Sequence, residues 1–275
     1  MIPSKPLLFA ACALAVLSFA APRPARAADV PAASPDIAIV RTSDDYCQIT
    51  IDTVAAPELS EWAKKTLAPV LASYYPKIVA MLPSDGYNAP KSFTVSILPT
   101  EGVAYTVGTH VVVNADWLNQ ELDREAVGAI VHECVHVVQQ YGHVRGGRPA
   151  PGWIVEGMAD YIRFFKYEPQ LHGADATWLQ AHKARLNYDG MYRISANFLD
   201  YVATTYDPSG TLIQKLNAAC RKGVYTDDFW QQNTGKTLAD LNTEWKAARS
   251  GQPAASPSPA ASPDAPATPV KQATQ

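Results

Sequence analysis

Charge is scarce in this chain. Asp, Glu, Lys and Arg together make up 18% of 275 residues, and the formal balance is only −3. The lysines and arginines are scattered rather than clustered, so there is no polybasic field to attract phosphates and no nucleic-acid partner is expected. Cysteine is equally sparse, at four residues. After the first 21 residues no apolar run is long enough to span a bilayer, so no stable membrane insertion is expected of the mature chain. What is present, 47% apolar residues with modest charge, suits one globular domain of about 200 residues.

The ends of the chain read differently from its middle. Lys5, an apolar run from Leu7 to Ala21 and the small-x-small site Ala25-Arg26-Ala27 have the order of an export signal. They predict a mature chain starting near Ala28 in a secreted or periplasmic compartment. From Gly251 to Gln275 the sequence is almost entirely Pro, Ala, Ser, Thr and Gln, with few apolar groups to bury, which predicts a disordered or extended tail. The expected division is therefore a signal over 1–27, a linker over 28–36, a globular domain over 37–249 and a tail over 250–275. Cys12 leaves with the signal. In an oxidising compartment Cys47 and Cys220 could pair or stay as free thiols.

The most telling segment is His132-Glu133-Cys134-Val135-His136. Asp123 as N-cap, Glu125 in the first turn and Gly142 as stop predict a helix from about Arg124 to Tyr141. On such a helix His132 and His136 lie one turn apart on one face and can reach one metal ion, with Glu133 beside them to poise a water. Val127, Val131, Cys134 and Val138 form an apolar stripe. The histidines project from the far side of the wheel, which separates core from chemistry. Cys134, two residues from each histidine, faces away from them and reads as a small buried thiol.

A hydrolytic zinc site usually takes three protein ligands and leaves a fourth position for water. Downstream, Gly152 to Tyr161 reads as a second helix, with Val155, Met158, Ile162 and Phe165 on its buried side and Glu156, Asp160 and Arg163 on the other. Glu156 completes a His₂Glu set for Zn²⁺. Asp160, one turn on, can accept the outer N–H of a ligand imidazole and fix its tautomer. Arg163 could hold Asp160 or touch substrate. The competing metzincin pattern needs glycine at 139 and histidine at 142; the chain has Gln139 and Gly142 there, and His143 comes one residue late.

Ahead of the metal helix, residues 47–51, 93–97, 104–107 and 110–113 alternate in the manner of strands, and Leu59 to Met81 reads as one long amphipathic helix. After Asp160 nearly everything is helical. The expected class is α+β: a small N-terminal mixed sheet packed on an active-site helix, a mostly helical C-terminal half and a cleft between them. The strand Thr109 to Asn114 is a candidate edge strand for pairing with an extended peptide.

The run from His132 through Gln139, then Gly152 to Tyr161, then Tyr192-Arg193-Ile194-Ser195-Ala196-Asn197-Phe198-Leu199-Asp200-Tyr201, resembles the plant basic secretory protein family and its bacterial relatives. Gly223-Val224-Tyr225 and Thr234-Gly235-Lys236-Thr237-Leu238 extend the likeness to most of the chain between about Cys47 and Ala248. The resemblance implies a secreted, gluzincin-like peptidase of zincin-like fold, with His132, His136 and Glu156 matching the zinc ligands and Glu133 the base. One departure is charge, since this chain is mildly acidic rather than basic.

The chemistry expected of this set is hydrolysis of a peptide or protein substrate. Zinc acidifies a bound water, Glu133 takes its proton as the carbonyl is attacked, and Glu133 then returns it to the leaving amine. The oxyanion needs a second electrophile. Tyr192 is the first candidate, with His172 or His182 behind it. Two other classes use the same residues: a non-catalytic zinc-containing secreted binding protein, and a zinc hydrolase of non-peptide amides or esters. Oligomeric state leaves no trace in the sequence.

Overall fold

The computed structural model describes residues 34–141, 146–182 and 184–250. The expected export signal lies outside them. So does the tail apart from Ser250, as do Gly142 and His143.

Alternation builds the sheet. In β2 (Gln48–Asp52) Ile49 and Ile51 are fully buried while their neighbours are half-buried, the pattern of a strand with one face on a core. β1 (Ile37–Arg41) pairs antiparallel with β2, which pairs parallel with β3 (Ser92–Leu98). β3 pairs parallel with β5 (His110–Asn114), and β4 (Ala104–Val107) closes the sheet antiparallel to β5. The order β1-β2-β3-β5-β4 makes a mixed sheet of five strands. It also corrects one expectation. The strand before the metal helix, β5, is flanked on both sides, and the edge facing the site is β4. The sequence order of β4 and β5 conceals this, because β5 inserts between β3 and the strand that precedes it.

The helix expected over 59–81 is not uniform. It starts as α1 (Ser60–Trp62), passes through a π-helical turn at Ala63–Leu67 and continues as α2 (Ala68–Met81). Pro69 has no N–H to continue the i→i−4 ladder, and the register changes just before it. Leu71, Tyr74, Tyr75 and Ile78 are buried on α2, which packs on β1, β2 and the metal helix.

After β5, Asn114 caps α3 (Ala115–Glu121) by accepting from the N–H groups of Asp116 and Trp117 at 3.0 and 3.4 Å. The metal helix, α4, spans Ala126–Gln139, and α5 spans Gly152–Tyr161 and runs on as a π-helical turn at Ile162–Tyr167. The helical half continues with α6 (Ala176–Ala181), α7 (Tyr192–Tyr206), α8 (Leu212–Arg221), α9 (Asp228–Thr234) and α10 (Leu238–Ser250). Its core is aromatic: Phe198 meets Trp153, Trp230 and Trp245 with ring centroids 5.6–6.0 Å apart, edge-to-face geometry that adds to area burial.

The contact that matters most for the site is α5 against α7. Gly157 faces Ser195 so closely that a Cβ on residue 157 would lie 2.6 Å from the Cβ of Ser195. A side chain there would force the two helices apart. No helix among the described residues is long and apolar enough to cross a membrane.

Candidate active site

The ends of α4 are set differently from the sequence reading. Glu125, not Asp123, occupies the N-cap and makes no side-chain cap bond, while Gln140 ends the helix in a left-handed conformation (φ 46°) before Gly142 is reached. Arg221 of α8 takes over the C-terminal carbonyls. Its guanidinium, buried, donates to the carbonyls of Val138 and Gln139 at 3.0 and 3.1 Å and to that of Leu82 at 3.0 Å. These are the unpaired acceptors that every helix end must satisfy.

The apolar stripe is as expected at Val131, Cys134 and Val138, all fully buried, with Val127 half-buried. The opposite side of α4 is not open. His132 and Glu133 are buried as well, because β4 covers that face from above and α5 lies beneath it. A helix apolar almost all round is a buried helix. Its two histidines emerge into a cleft of about 1110 Å³, lined also by Glu133, Glu156, Asp160, Tyr192, Ala104 and Thr106.

His132 Nε2, His136 Nε2 and Glu156 Oε2 form a small triangle with sides of 3.1, 3.2 and 3.4 Å. Bonds of ~2.0–2.1 Å to a tetrahedral zinc place its ligand atoms roughly 3.3–3.4 Å apart, so the triangle has the size of one face of such a site. The donor set, two imidazoles and a carboxylate, suits zinc chemically as well. Among the described residues these three are the group able to hold a metal ion.

The imidazoles are oriented from behind. His132 Nδ1 donates to Asp160 Oδ1 at 2.6 Å, and Asp160 is itself buried. His136 Nδ1 donates to Gln139 Oε1 at 2.7 Å, while Gln139 Nε2 donates to the carbonyl of Val155 on α5 at 2.9 Å. Both Nδ1 atoms therefore carry a proton and both Nε2 atoms are directed to the triangle. In the metal-free protein burial opposes charge on His132, but the hydrogen bonds to Asp160 and Glu156 outweigh it and raise the imidazole well above its usual range. Burial likewise opposes charge on Glu156, and its bonds to His132 and His136 overcome this, bringing the carboxyl down to about 2.

Glu133 points up rather than down. Its Oε2 accepts from Thr106 Oγ1 of β4 at 2.7 Å, and the same hydroxyl lies 3.2 Å from the Glu133 carbonyl. Tyr192 opens α7 with its ring centroid 6.2 Å from that of His132 and the planes 27° apart. The charge of Glu156, then burial, raises its phenol above the usual tyrosine range, so it keeps its proton at neutral pH. Met191 (φ 65°) and Tyr192 (φ 44°) are both left-handed, a costly conformation for non-glycine residues.

The other sequence candidates fall elsewhere. His172 is exposed and bound to Asp175 at 2.9 Å, and His182 is exposed, bound to the Trp178 carbonyl and stacked on that indole at 4.2 Å. Neither lines the cleft. Arg163 does not hold Asp160. It is buried, giving Nε to Glu168 at 2.6 Å and Nη2 to Glu125 at 3.0 Å, and Arg193 also donates to Glu125 at 2.6 Å. Burial works against charge on Glu125, but Arg193 and Arg163 outweigh it and hold the carboxyl below its usual range. Cys47, Cys134 and Cys220 are all free and buried, which settles the Cys47–Cys220 alternative in favour of thiols. Gln139 and Thr106, which bond to His136 and Glu133, are not among the sequence candidates. Gln139 carried a signal, its i+3 spacing from His136; Thr106 carried none.

Comparison with solved structures gives a consistent fold. The M1 zinc metallopeptidase of Deinococcus radiodurans matches with a TM-score of 0.53 at 14% identity, over 81% of this chain and 53% of that one. A variant of it bound to a Tyr-Ser-Ala substrate matches with a TM-score of 0.52 at 14% identity, over 81% of this chain and 52% of that one. A variant of a two-domain M1 zinc metallopeptidase bound to L-tryptophan gives 0.52, also at 14% identity, over 81% and 52%. The chain spans about half the length of these proteins, and at such identity the likeness is one of fold. No curated protein matches the sequence significantly. The family described as "Peptidase of plants and bacteria" (BSP) matches residues 52–245, most of the described chain and all of the site, and the chain belongs to that family of peptidases.

Proposed function

We propose that the protein is an exported zinc-dependent peptidase in which His132, His136 and Glu156 hold the metal and Glu133 is the general base. The observation that carries this reading is the triangle of ligand atoms, already at the size of a zinc site and fixed from behind by Asp160 and Gln139. Bound zinc supplies Lewis acidity, which lowers the pKa of water and polarises a carbonyl.

The protein's own groups do the rest. Glu133, facing the cleft, takes a proton from the attacking water and passes it to the leaving amine. The Tyr192 hydroxyl, still protonated, donates to the oxyanion as charge develops there. Asp160 holds His132 in one tautomer and orientation. β4 is the edge strand of the sheet among the described residues and lies on the upper rim of the cleft, where an extended peptide can add as a further strand. The reading of the ends is that 1–27 directs export and 250–275 is an appended tail. The three thiols suit an oxidising compartment because none is exposed. Burial pushes Cys47 up to about 11 and Cys220 up to about 12, which keeps both unreactive.

The test is cleavage of denatured protein by the mature chain with and without chelator, together with elemental analysis. One zinc per chain and chelator-sensitive cleavage are expected. Glu133→Gln keeps the shape and the metal, and its turnover is expected to fall by roughly 10²-fold or more. A Gln variant that cleaves at the wild-type rate, or a Glu156→Ala variant that retains full zinc, would overturn the assignment.

A further inference from the structure

We infer that Thr106, on the edge strand, is the positioning residue of the general base, an inference that rests on the reading of Glu133 above. A carboxylate has two oxygens, and a base that must take a proton from one fixed direction needs one of them tied. Thr106 Oγ1 ties Oε2 at 2.7 Å, which leaves Oε1 for the water. Glu133 is itself buried, so few other groups are available to take over this bond.

The placement of Thr106 is specific. Along β4 exposure alternates: Tyr105 and Val107 are exposed, while Ala104 and Thr106 are half-buried and turn toward α4. Thr106 lies opposite Val111 in the ladder with β5, so its backbone is fixed by the sheet and its hydroxyl by the helix. A valine would fill the same volume and keep the same strand preference, yet bring no donor. The single difference between the two side chains is the group that reaches Glu133. Because β4 is also the edge strand on the rim of the cleft, the base and the peptide-binding edge are held as one unit.

Thr106→Val is therefore expected to lower kcat about tenfold or more, the loss that matches one hydrogen bond to a charged group, while KM and zinc stoichiometry stay at wild-type values. Thr106→Ser restores the hydroxyl and is expected to recover most of the rate. In a Glu133→Gln background, Thr106→Val is expected to add little, because the two changes remove one function. A crystal structure of zinc-loaded Thr106→Val is expected to show the Glu133 carboxylate rotated away from its wild-type position. A valine variant with wild-type kcat and an unmoved Glu133, in a protein that Glu133→Gln inactivates, would overturn this inference alone. A fully active Glu133→Gln would instead overturn the reading it rests on. Equal losses from Thr106→Val in both backgrounds would make Thr106 a general structural residue and refute its link to the base.

Discussion

Asp160 is the residue whose removal gives the sharpest measure of how the site is organised. It lies one turn after Glu156 on α5, its side chain is 6% exposed, and its Oδ1 is 2.6 Å from His132 Nδ1. Asp160→Ala deletes the acceptor and leaves a buried N–H without a partner. A hydrogen bond to a charged group contributes about 1.5–3 kcal/mol, and at about 1.36 kcal/mol per decade the loss is roughly 10-fold to 100-fold in zinc affinity. The independent range for losing an outer partner of a metal-bound histidine is also about 10-fold to 100-fold. Asp160→Asn retains one acceptor oxygen but not the charge, so it is expected near the lower end. The assay is competition for zinc against a chromophoric chelator at fixed pH, with thermal melts of the metal-free variants alongside. Alanine is the better helix former by several tenths of a kcal/mol, so α5 itself is not weakened. Zinc affinity within a factor of two of wild type in both variants would refute the argument and reduce Asp160 to a buried charge that happens to meet an imidazole.

Two glycines provide further tests, both of packing around the site. Gly157→Ala places a methyl 2.6 Å from the Ser195 Cβ and 3.3 Å from the Ser195 backbone carbon; overpacking of this kind costs about 1–3 kcal/mol, or roughly 2–12 °C in Tm for a domain of this size. It should also lower kcat by displacing Tyr192, so a variant with unchanged melting and unchanged rate would contradict the close approach of α5 and α7. Gly128→Ala sets a Cβ 2.3 Å from Glu168 Oε1 and 2.7 Å from Arg163 Nε, and disrupting a buried ion pair costs about 3–5 kcal/mol when one partner is stranded. The roughly 1 kcal/mol gained in helix propensity does not offset that. A matched pair of variants checks the cause: a Glu168→Ala background removes the two shortest contacts and leaves Arg163 Nε at 2.7 Å on a side chain freed of that ion pair, so Gly128→Ala is expected to cost less there, and an equal penalty in both backgrounds would place its origin elsewhere.

The histidine–glutamate helix, the second helix with Glu156 and Asp160, and the strands at 104–107 and 110–113 were legible because each is written in local spacing. Helix and strand periods bring residues to a face without reference to the rest of the molecule. What was not legible depends on partners far along the chain. The C-terminal end of α4 is held by Arg221, more than eighty residues after Gln139, and the N-terminal end at Glu125 by Arg163 and Arg193, so the local signals at Asp123 and Gly142 lost to tertiary contacts. The edge position passed from β5 to β4 because strand order is a property of the sheet. Arg163 shares a helical face with Asp160, yet the π-helical turn at Ile162–Tyr167 carries its side chain to Glu168 and Glu125 instead.

Tyr192 shows why a site residue can be named from sequence and its placement still depend on the whole fold. Two consecutive left-handed residues, Met191 and Tyr192, are each unfavourable by about 1–3 kcal/mol when neither is glycine. The N–H groups of Ile194 and Ser195 donate to the Met191 carbonyl at 3.2 and 3.3 Å. Ser195 also ties the pair to its surroundings: its hydroxyl donates to the Tyr188 carbonyl at 2.8 Å, and its backbone lies against Gly157 of α5. Met191 in turn packs its thioether against Gly152 at the start of α5. The entry of α7 is thereby fixed at both ends of the strained pair, and its first side chain can only land over His132. The glycines of α5 on either side of Glu156 in sequence, at 152 and 157, are thus the positions that let α7 come close enough to set a phenol beside His132 of α4.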